Sequence, residues 1–239
     1  MFGWRARIGQ LYPSGGLCDF EPQRMAPPGV QFVTTRMTFR GTRLENHQHL
    51  TRAIEEHAQL LADAKVDLIA FNCTAASVVA GPESVCRRIT EATGIPATTT
   101  IQAVLAALAA VRARRLALVT AYPPEVTAAE VRFLEAQGFE VADRRAEECE
   151  HPLQQASIPP DRWQEIALEL KDTPADALLI SCAGIEIASV LQRIEDDFGR
   201  PVIASNQALV WHCLRLLGIP DSIPGFGGLL RREFDAVAA

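Results

Sequence analysis

The sequence predicts an α/β fold of two pseudo-symmetric halves, each a mainly parallel sheet flanked by helices, with a functional cleft between them. Three observations predict it. Short, continuously apolar runs recur between stretches of helical apolar spacing, and continuous rather than alternating apolarity is how strands covered on both faces read. Strand and helix signals alternate, the order that builds parallel sheets. Four landmarks then recur in the same order: Tyr-Pro (Tyr12-Pro13, Tyr122-Pro123), an Asp six residues before a Cys (Asp67, Asp176), that strand-end Cys (Cys73, Cys182), and a Pro six residues before a Gln (Pro96 and Gln102, Pro201 and Gln207). Such repetition marks two copies of one structural unit. The repeat spans 1–112 and 113–217. As folding units we expect 1–112 with the final helix and tail, 206–239, against 113–205.

The elements follow in order. ARIGQLYP (6–13) and VQFVTTRM (30–37) read as strands, and 44–64 has a helical period. DLIAFNC (67–73) is the next strand, followed by helical periods over 82–93 and 101–112. The second half opens with RLALVTAYP (115–123), then helical periods over 125–137 and 161–171, the strand DALLISC (176–182), a helix over 187–198, the strand RPVIASN (200–206) and a helix over 206–217. The apolar stretch IQAVLAALAAV (101–111) reads as core in preference to a dimer face, and a homo-oligomer stays open. RRAEECEH (144–151) reads as charged surface. ECEHPLQQASIPP (148–160) reads as a loop able to cover the cleft, with the role of His151 open. GFGGLLRRE (225–233) follows the last helix instead of joining strand to helix, so it reads as a C-terminal loop.

Composition narrows the function. The chain has 239 residues, 48% of them hydrophobic, and a net charge of −6. That balance supports a sizeable core and offers no cationic field for nucleic acid or anionic lipid, which leaves a small molecule as the expected partner. No apolar run reaches the length of a membrane span, and MFGWRARIGQLYP lacks the apolar region of a signal peptide, so a cytoplasmic protein is expected. G-x-G-x-x-G, Walker A, CxxC and HExxH patterns are all missing, so neither a nucleotide cofactor nor a metal is expected. Six scattered cysteines do not make a disulfide framework.

The candidate chemistry lies in FNCTAAS (71–77) and LISCAGIE (179–186). In open parallel sheets ligands bind beyond the carboxyl ends of strands, and a pseudo-twofold would bring Cys73 and Cys182 to opposite walls of one cleft. One thiol can then remove a proton as thiolate while the other returns one from the far side. Helices are expected to begin just after each cysteine, lowering its pKa. The small neighbours Thr74, Ala75 and Ala76, and likewise Ala183 and Gly184, let backbone amides approach a carboxylate. Ser14, Gly15 and Gly16 would add backbone donors for enolate-like charge. Asn72 and Thr74 are expected to donate to a Cys73 thiolate and make it the more acidic thiol, Cys182 having fewer polar neighbours. Cys18, Cys86, Cys149 and Cys213 read as small buried hydrophobes. Tyr122 is either packed on Pro123 or functional, and Tyr12 reads as packed. His47, His49, His57 and His212 read as solvated surface.

FNCTAAS, LVTAYPPE, LISCAG, FGRPVIASNQA and GIPDSIPGFGGLLR together resemble the aspartate/glutamate racemase superfamily, in particular its maleate cis-trans isomerase and arylmalonate decarboxylase branch, over nearly the whole chain. The resemblance implies two α/β halves with an active site between them, no cofactor and a small carboxylate substrate. It matches Cys73 to the isomerase nucleophile, Cys182 to its second cysteine, and Tyr122 to the tyrosine that contacts a substrate carboxylate. Decarboxylases of this branch have glycine at the first position, so two cysteines favour isomerase or racemase chemistry. Two departures stand out. Gly16 falls where the isomerases have an asparagine, and the later-loop asparagine falls near His151 or Pro152; both remove side-chain donors to carboxylates. The expected function is cofactor-independent cis-trans isomerisation or α-carbon racemisation of a small carboxylic acid. The alternatives are a decarboxylase with Cys182 as proton donor and a non-catalytic carboxylate-binding protein.

Overall fold

Among residues 2–234, which the computed structural model describes, eight strands form two separate four-stranded sheets. The first contains β1 (Ala6–Pro13), β2 (Val30–Met37), β3 (Leu68–Phe71) and β4 (Ala97–Thr99) in the order β2-β1-β3-β4. The second contains β5 (Arg115–Thr120), β6 (Glu140–Ala146), β7 (Ala177–Ser181) and β8 (Val202–Ala204) in the order β6-β5-β7-β8. All pairings are parallel. The two orders are the same pattern, the first strand of each half lying between its second and third. The expected architecture of two similar α/β halves is what the chain adopts.

The helices of the first stretch are α1 (Glu21–Arg24), α2 (Leu44–His49), α3 (Ile54–Asp63), α4 (Thr74–Ala80), α5 (Pro82–Thr93) and α6 (Thr100–Ala110). Those of the second are α7 (Pro124–Ala136), α8 (Pro152–Ser157), α9 (Pro160–Glu169), α10 (Leu191–Phe198), α11 (Ser205–Leu216) and α12 (Gly227–Leu230). None is long and apolar enough to cross a membrane.

The repeated landmarks do matching structural work. Asp67 accepts the backbone N–H of Arg7 at 2.8 Å, and Asp176 accepts those of Arg114 and Arg115 at 2.8 Å, each pinning the start of the neighbouring strand. The carbonyl of Pro96 accepts from Ile69 and that of Pro201 from Leu178, both at 3.0 Å. Gln102 and Gln207 each turn back to accept a backbone N–H three residues earlier, from Thr99 and Ala204 at 3.1 Å, satisfying a donor left over at the start of α6 and α11.

Those two helices pack on each other and join the halves: Ile101, Val104 and Leu108 share one buried cluster with Leu209, Val210 and Leu214. The apolar stretch 101–111 is therefore core, each fully buried aliphatic side chain contributing about 1.5–3 kcal/mol.

Three expectations need correction. The helical period over 44–64 divides into α2 and α3, with turns at 50–53. Residues 140–146, part of them read as charged surface, form the edge strand β6, whose bulge against Leu116/Ala117 and half-exposed side chains hide the usual apolar signature. Residues 225–233 are not a plain loop: Gly227, at φ +84°, opens the turn α12, where an added Cβ would lie 2.8 Å from Gln207 Nε2, and Leu229 and Leu230 enter the core.

Candidate active site

The inner strands β3 and β7 each run straight into a cysteine. Cys73 is the N-cap residue of α4, in extended conformation, with its carbonyl held by the N–H of Ser77 at 2.9 Å and the Ser77 hydroxyl at 2.6 Å. Cys182 departs from expectation, because no helix begins after it until Leu191. A loop takes its place. The Gly184 N–H donates to Cys182 Sγ at 3.2 Å, and the N–H groups of Ile187 and Ala188 donate to the buried Glu21 carboxylate at 2.9 and 2.8 Å. Glu21 belongs to α1, so the first stretch holds the second thiol's loop in place.

Both thiols line one cavity, together with Gly16, Thr74, Tyr122, Ala183 and Gly184. Of the other residues expected at the site, Ser14, Gly15, Asn72 and Ala75 do not line it. Ser14 Oγ accepts the Phe39 N–H at 3.0 Å. A Cβ on Gly15 would lie 2.7 Å from the Phe39 carbonyl, so Gly15 permits a close backbone approach. Ala75 packs into the apolar cluster of the second sheet.

Asn72 and Thr74 act beneath the cavity rather than on the thiol. Asn72 Nδ2 donates to Gln10 at 3.1 Å and to Asn206 at 3.2 Å, while its oxygen accepts from Thr100 at 3.1 Å. Asn206 in turn donates to the Ala183 carbonyl at 3.1 Å, and Thr74 donates to Ser205 at 2.8 Å. This buried network ties the Cys73 loop to the Cys182 loop through the start of α11. The side-chain donors expected on the Cys73 thiolate are thereby consumed.

Sequence reasoning missed the wall residues Tyr12, Pro13, Phe39 and His47, while the expected covering segment supplies Pro152 and Gln155. The Tyr12 hydroxyl accepts from the Cys18 N–H at 3.2 Å and donates to the Ala183 carbonyl at 3.3 Å, bridging to the Cys182 loop. Gln155 donates to the Ala121 carbonyl at 2.7 Å. His151 is exposed and caps α8 by accepting the Leu153 N–H at 3.2 Å, so residues 148–160 cover the site with Pro152 and Gln155 rather than with the histidine. Thr42 clasps that cover to the segment before α2, donating its N–H to Glu150 at 3.2 Å and its hydroxyl to Cys149 at 2.5 Å.

His47 overturns its surface reading. It is 2% exposed, stacks obliquely on Phe39 with ring centroids 5.0 Å apart, and places Nδ1 3.9 Å from Cys73 Sγ. Burial lowers its pKa to about 4, opposed only by the Thr42 backbone. A signal for it exists in the sequence: Leu44, His47, Leu50 and Ile54 follow helical spacing, which puts His47 on the apolar face. His212 is likewise partly buried, and its pKa is lowered by that burial.

The thiols are held protonated. Burial pushes Cys73 up to about 12 against a weaker lowering by the Ala76 N–H. Burial raises Cys182 further, although the Gly184 N–H and the Tyr122 hydroxyl both favour its thiolate. Among the described residues, no Arg, Lys, Asp or Glu lines the cavity. The free space is small, about 20 Å³, enough for roughly one water, so admitting a substrate requires the covering segments to move. Among the described residues no cluster of three His, Cys, Asp or Glu is arranged to hold a metal.

Two thiols, a tyrosine and a neutral imidazole converging in a small chamber without charged walls can perform addition and proton transfer on a small acid. Known proteins with this fold are consistent with that. The maleate isomerase of Nocardia farcinica is 30% identical, the alignment covering 98% of each chain. The arylmalonate decarboxylase of Bordetella bronchiseptica is 25% identical over 93% of this chain and 95% of its own. A solved structure of a cysteine-to-serine mutant of the Nocardia farcinica maleate cis-trans isomerase, with a covalently bound succinylcysteine intermediate, superposes with a TM-score of 0.87 at 27% identity, covering 95% of this chain and 98% of that one. The sequence profile described as arylmalonate decarboxylase matches residues 9–230, spanning both sheets and both thiol loops, and on that match the chain belongs to the arylmalonate decarboxylase family.

Proposed function

We propose that this chain is a cofactor-independent cis-trans isomerase of a small unsaturated dicarboxylate, with maleate the first substrate to test. The observation that carries it is the meeting of Cys73 and Cys182, from the ends of equivalent strands, in one small cavity. The covalent succinylcysteine intermediate of the Nocardia farcinica enzyme supports the covalent route.

In this reading Cys73 sulfur adds to one alkene carbon while its proton passes to an acceptor on the cavity wall, from which it returns when the sulfur is released. The alkene electron pair takes the Cys182 proton at the other carbon, giving a thioether-linked succinyl group. The former double bond is now single and rotates. Cys182 thiolate then removes the proton, the double bond re-forms in the trans geometry, and the C–S bond breaks to return the Cys73 sulfur. The Gly184 N–H, which already donates to Cys182 Sγ, and the Tyr122 hydroxyl, which favours the thiolate, stabilise its transient charge. With no cationic side chain on the walls, the carboxylates would rest on backbone N–H groups of the two thiol loops.

Proton NMR of the enzyme with maleate tests the reading: fumarate should accumulate with wild type and not with Cys73→Ala, and Cys182→Ser should carry a diacid adduct on the peptide holding Cys73. Failure of wild type to isomerise maleate or an alkyl-substituted maleate would overturn it. Decarboxylation is the second reading, favoured by the apolar walls Pro13, Phe39 and Pro152. It predicts that Cys73→Ala still releases carbon dioxide from an arylmalonate while Cys182→Ala does not.

A further inference from the structure

The addition step needs something that neither thiol supplies, because both are buried as neutral S–H groups in a chamber without charge. Cys73 must lose its proton as its sulfur attacks. The N–H groups around it favour the thiolate but accept no proton, and the Thr74 hydroxyl is already donated to Ser205. We propose that His47 is the catalytic base of the first thiol, its Nδ1 taking the Cys73 proton as sulfur bonds to the substrate and returning it when the C–S bond breaks. This rests on the isomerase reading and adds to it the route of one proton.

Geometry supports the assignment. Nδ1 and Cys73 Sγ are 3.9 Å apart, both on the wall of the same cavity, a separation that apo acid-base pairs close in the working complex. The other ring nitrogen, Nε2, is buried with no hydrogen-bond partner. With the ring proton on Nε2, Nδ1 presents its lone pair to Cys73, and the Thr42 backbone is the other polar group that acts on the ring. The ring's orientation is set by Phe39 on one side and by an edge contact to Tyr122, centroids 6.3 Å apart, on the other.

The surroundings also keep the imidazole able to accept. The titratable groups that share its cavity are Cys73, Cys182, Tyr12 and Tyr122, all uncharged at neutral pH, and α4, packed against α2, contributes no titratable side chain. Burial keeps the ring neutral from pH 5 to 9 and also makes it a weak base, so it takes the proton only as the C–S bond forms, the dianionic substrate beside it favouring the imidazolium. Protons and electrons balance: one proton moves from Cys73 to His47 and back, another from Cys182 to carbon and back, and no oxidant or co-reactant is required.

The test is the pH dependence of Cys73 alkylation by iodoacetamide, followed by peptide mapping from pH 5 to 9, alongside turnover. A base that assists the neutral thiol gives wild type a rate that is nearly flat with pH. A free thiol reacting only as thiolate climbs about tenfold per pH unit below its pKa. We expect the flat profile in wild type, the tenfold-per-unit climb in His47→Gln, and a kcat for His47→Gln lower by about 100-fold with KM within about threefold, the range of general-base effects. A wild-type profile that already climbs tenfold per unit would overturn the proposal without recourse to any variant. So would His47→Gln retaining kcat within threefold. If wild type isomerises nothing, the isomerase reading falls, while the alkylation profile still decides whether His47 serves Cys73.

Discussion

Glu130 offers a quantitative test of how the Cys182 side of the site is built. It projects from α7 into a fully buried position, where one carboxylate oxygen accepts the hydroxyl of Ser181, the residue before Cys182, and the other has no partner. Burial outweighs that bond and raises its pKa from an ordinary 4.5 to about 7. Between those values the folded chain keeps a proton that the unfolded chain releases, so stability falls as pH rises through the window and levels off above it. At about 1.4 kcal/mol per unit the loss is on the order of 3 kcal/mol by pH 8. Glutamine keeps the acceptor for Ser181 and cannot ionise. Glu130→Gln should therefore exceed wild type by less than about 1 kcal/mol near pH 5 and by on the order of 3 kcal/mol at pH 8, every other titrating group cancelling between the two proteins. Urea unfolding midpoints at pH 5, 6, 7 and 8 measure it. Stability curves that stay parallel across this range would refute a buried, protonated Glu130.

Three further perturbations probe the frame. A Cβ on Gly16 would lie 2.8 Å from the Tyr12 hydroxyl oxygen and 2.9 Å from its ring, so Gly16→Ala should lower stability by about 1–3 kcal/mol through overpacking, read from the thermal midpoint. Asn72→Ala removes three buried hydrogen bonds linking the thiol loops and should destabilise by about 2–4 kcal/mol, with turnover falling further than stability alone explains because Cys73 and Cys182 lose their common brace; stability and kcat measured together separate the effects. Cys213 is wholly buried in the core, with its thiol raised to about 12, so in native protein it should stay unlabelled by iodoacetamide over hours and label in full only in denaturant, as peptide mapping would show.

What was legible in the chain follows from which features repeat. Tyr-Pro, the strand-pinning Asp, the strand-end Cys and the Pro-Gln pair recur because both halves solve the same problems, pinning a strand start and capping the helix after a strand, and those solutions are written in single residues at fixed spacing. The two thiols were therefore found as partners although 109 positions separate them. Features belonging to one half alone were harder to read. His47 has no counterpart in the second half, and its burial depends on Phe39 and Tyr122 arriving from elsewhere in the chain. Edge strand β6 earns no apolar signature because its side chains remain half exposed. Asn72 and Thr74 were recognised as hydrogen-bonding residues, but their direction was not recoverable: local sequence places them beside a thiol, while α11, brought in from residues 205–216, supplies Ser205 and Asn206 as nearer partners. That reassignment changes the chemistry. With its expected donors committed to the brace, Cys73 cannot rest as a thiolate held by its neighbours, and the proton it gives up at each turnover has to go to a group on the cavity wall. The asymmetry of the site thus lies in what faces each sulfur, an imidazole at Cys73 and a tyrosine hydroxyl at Cys182, rather than in the residues adjacent to each cysteine in the chain.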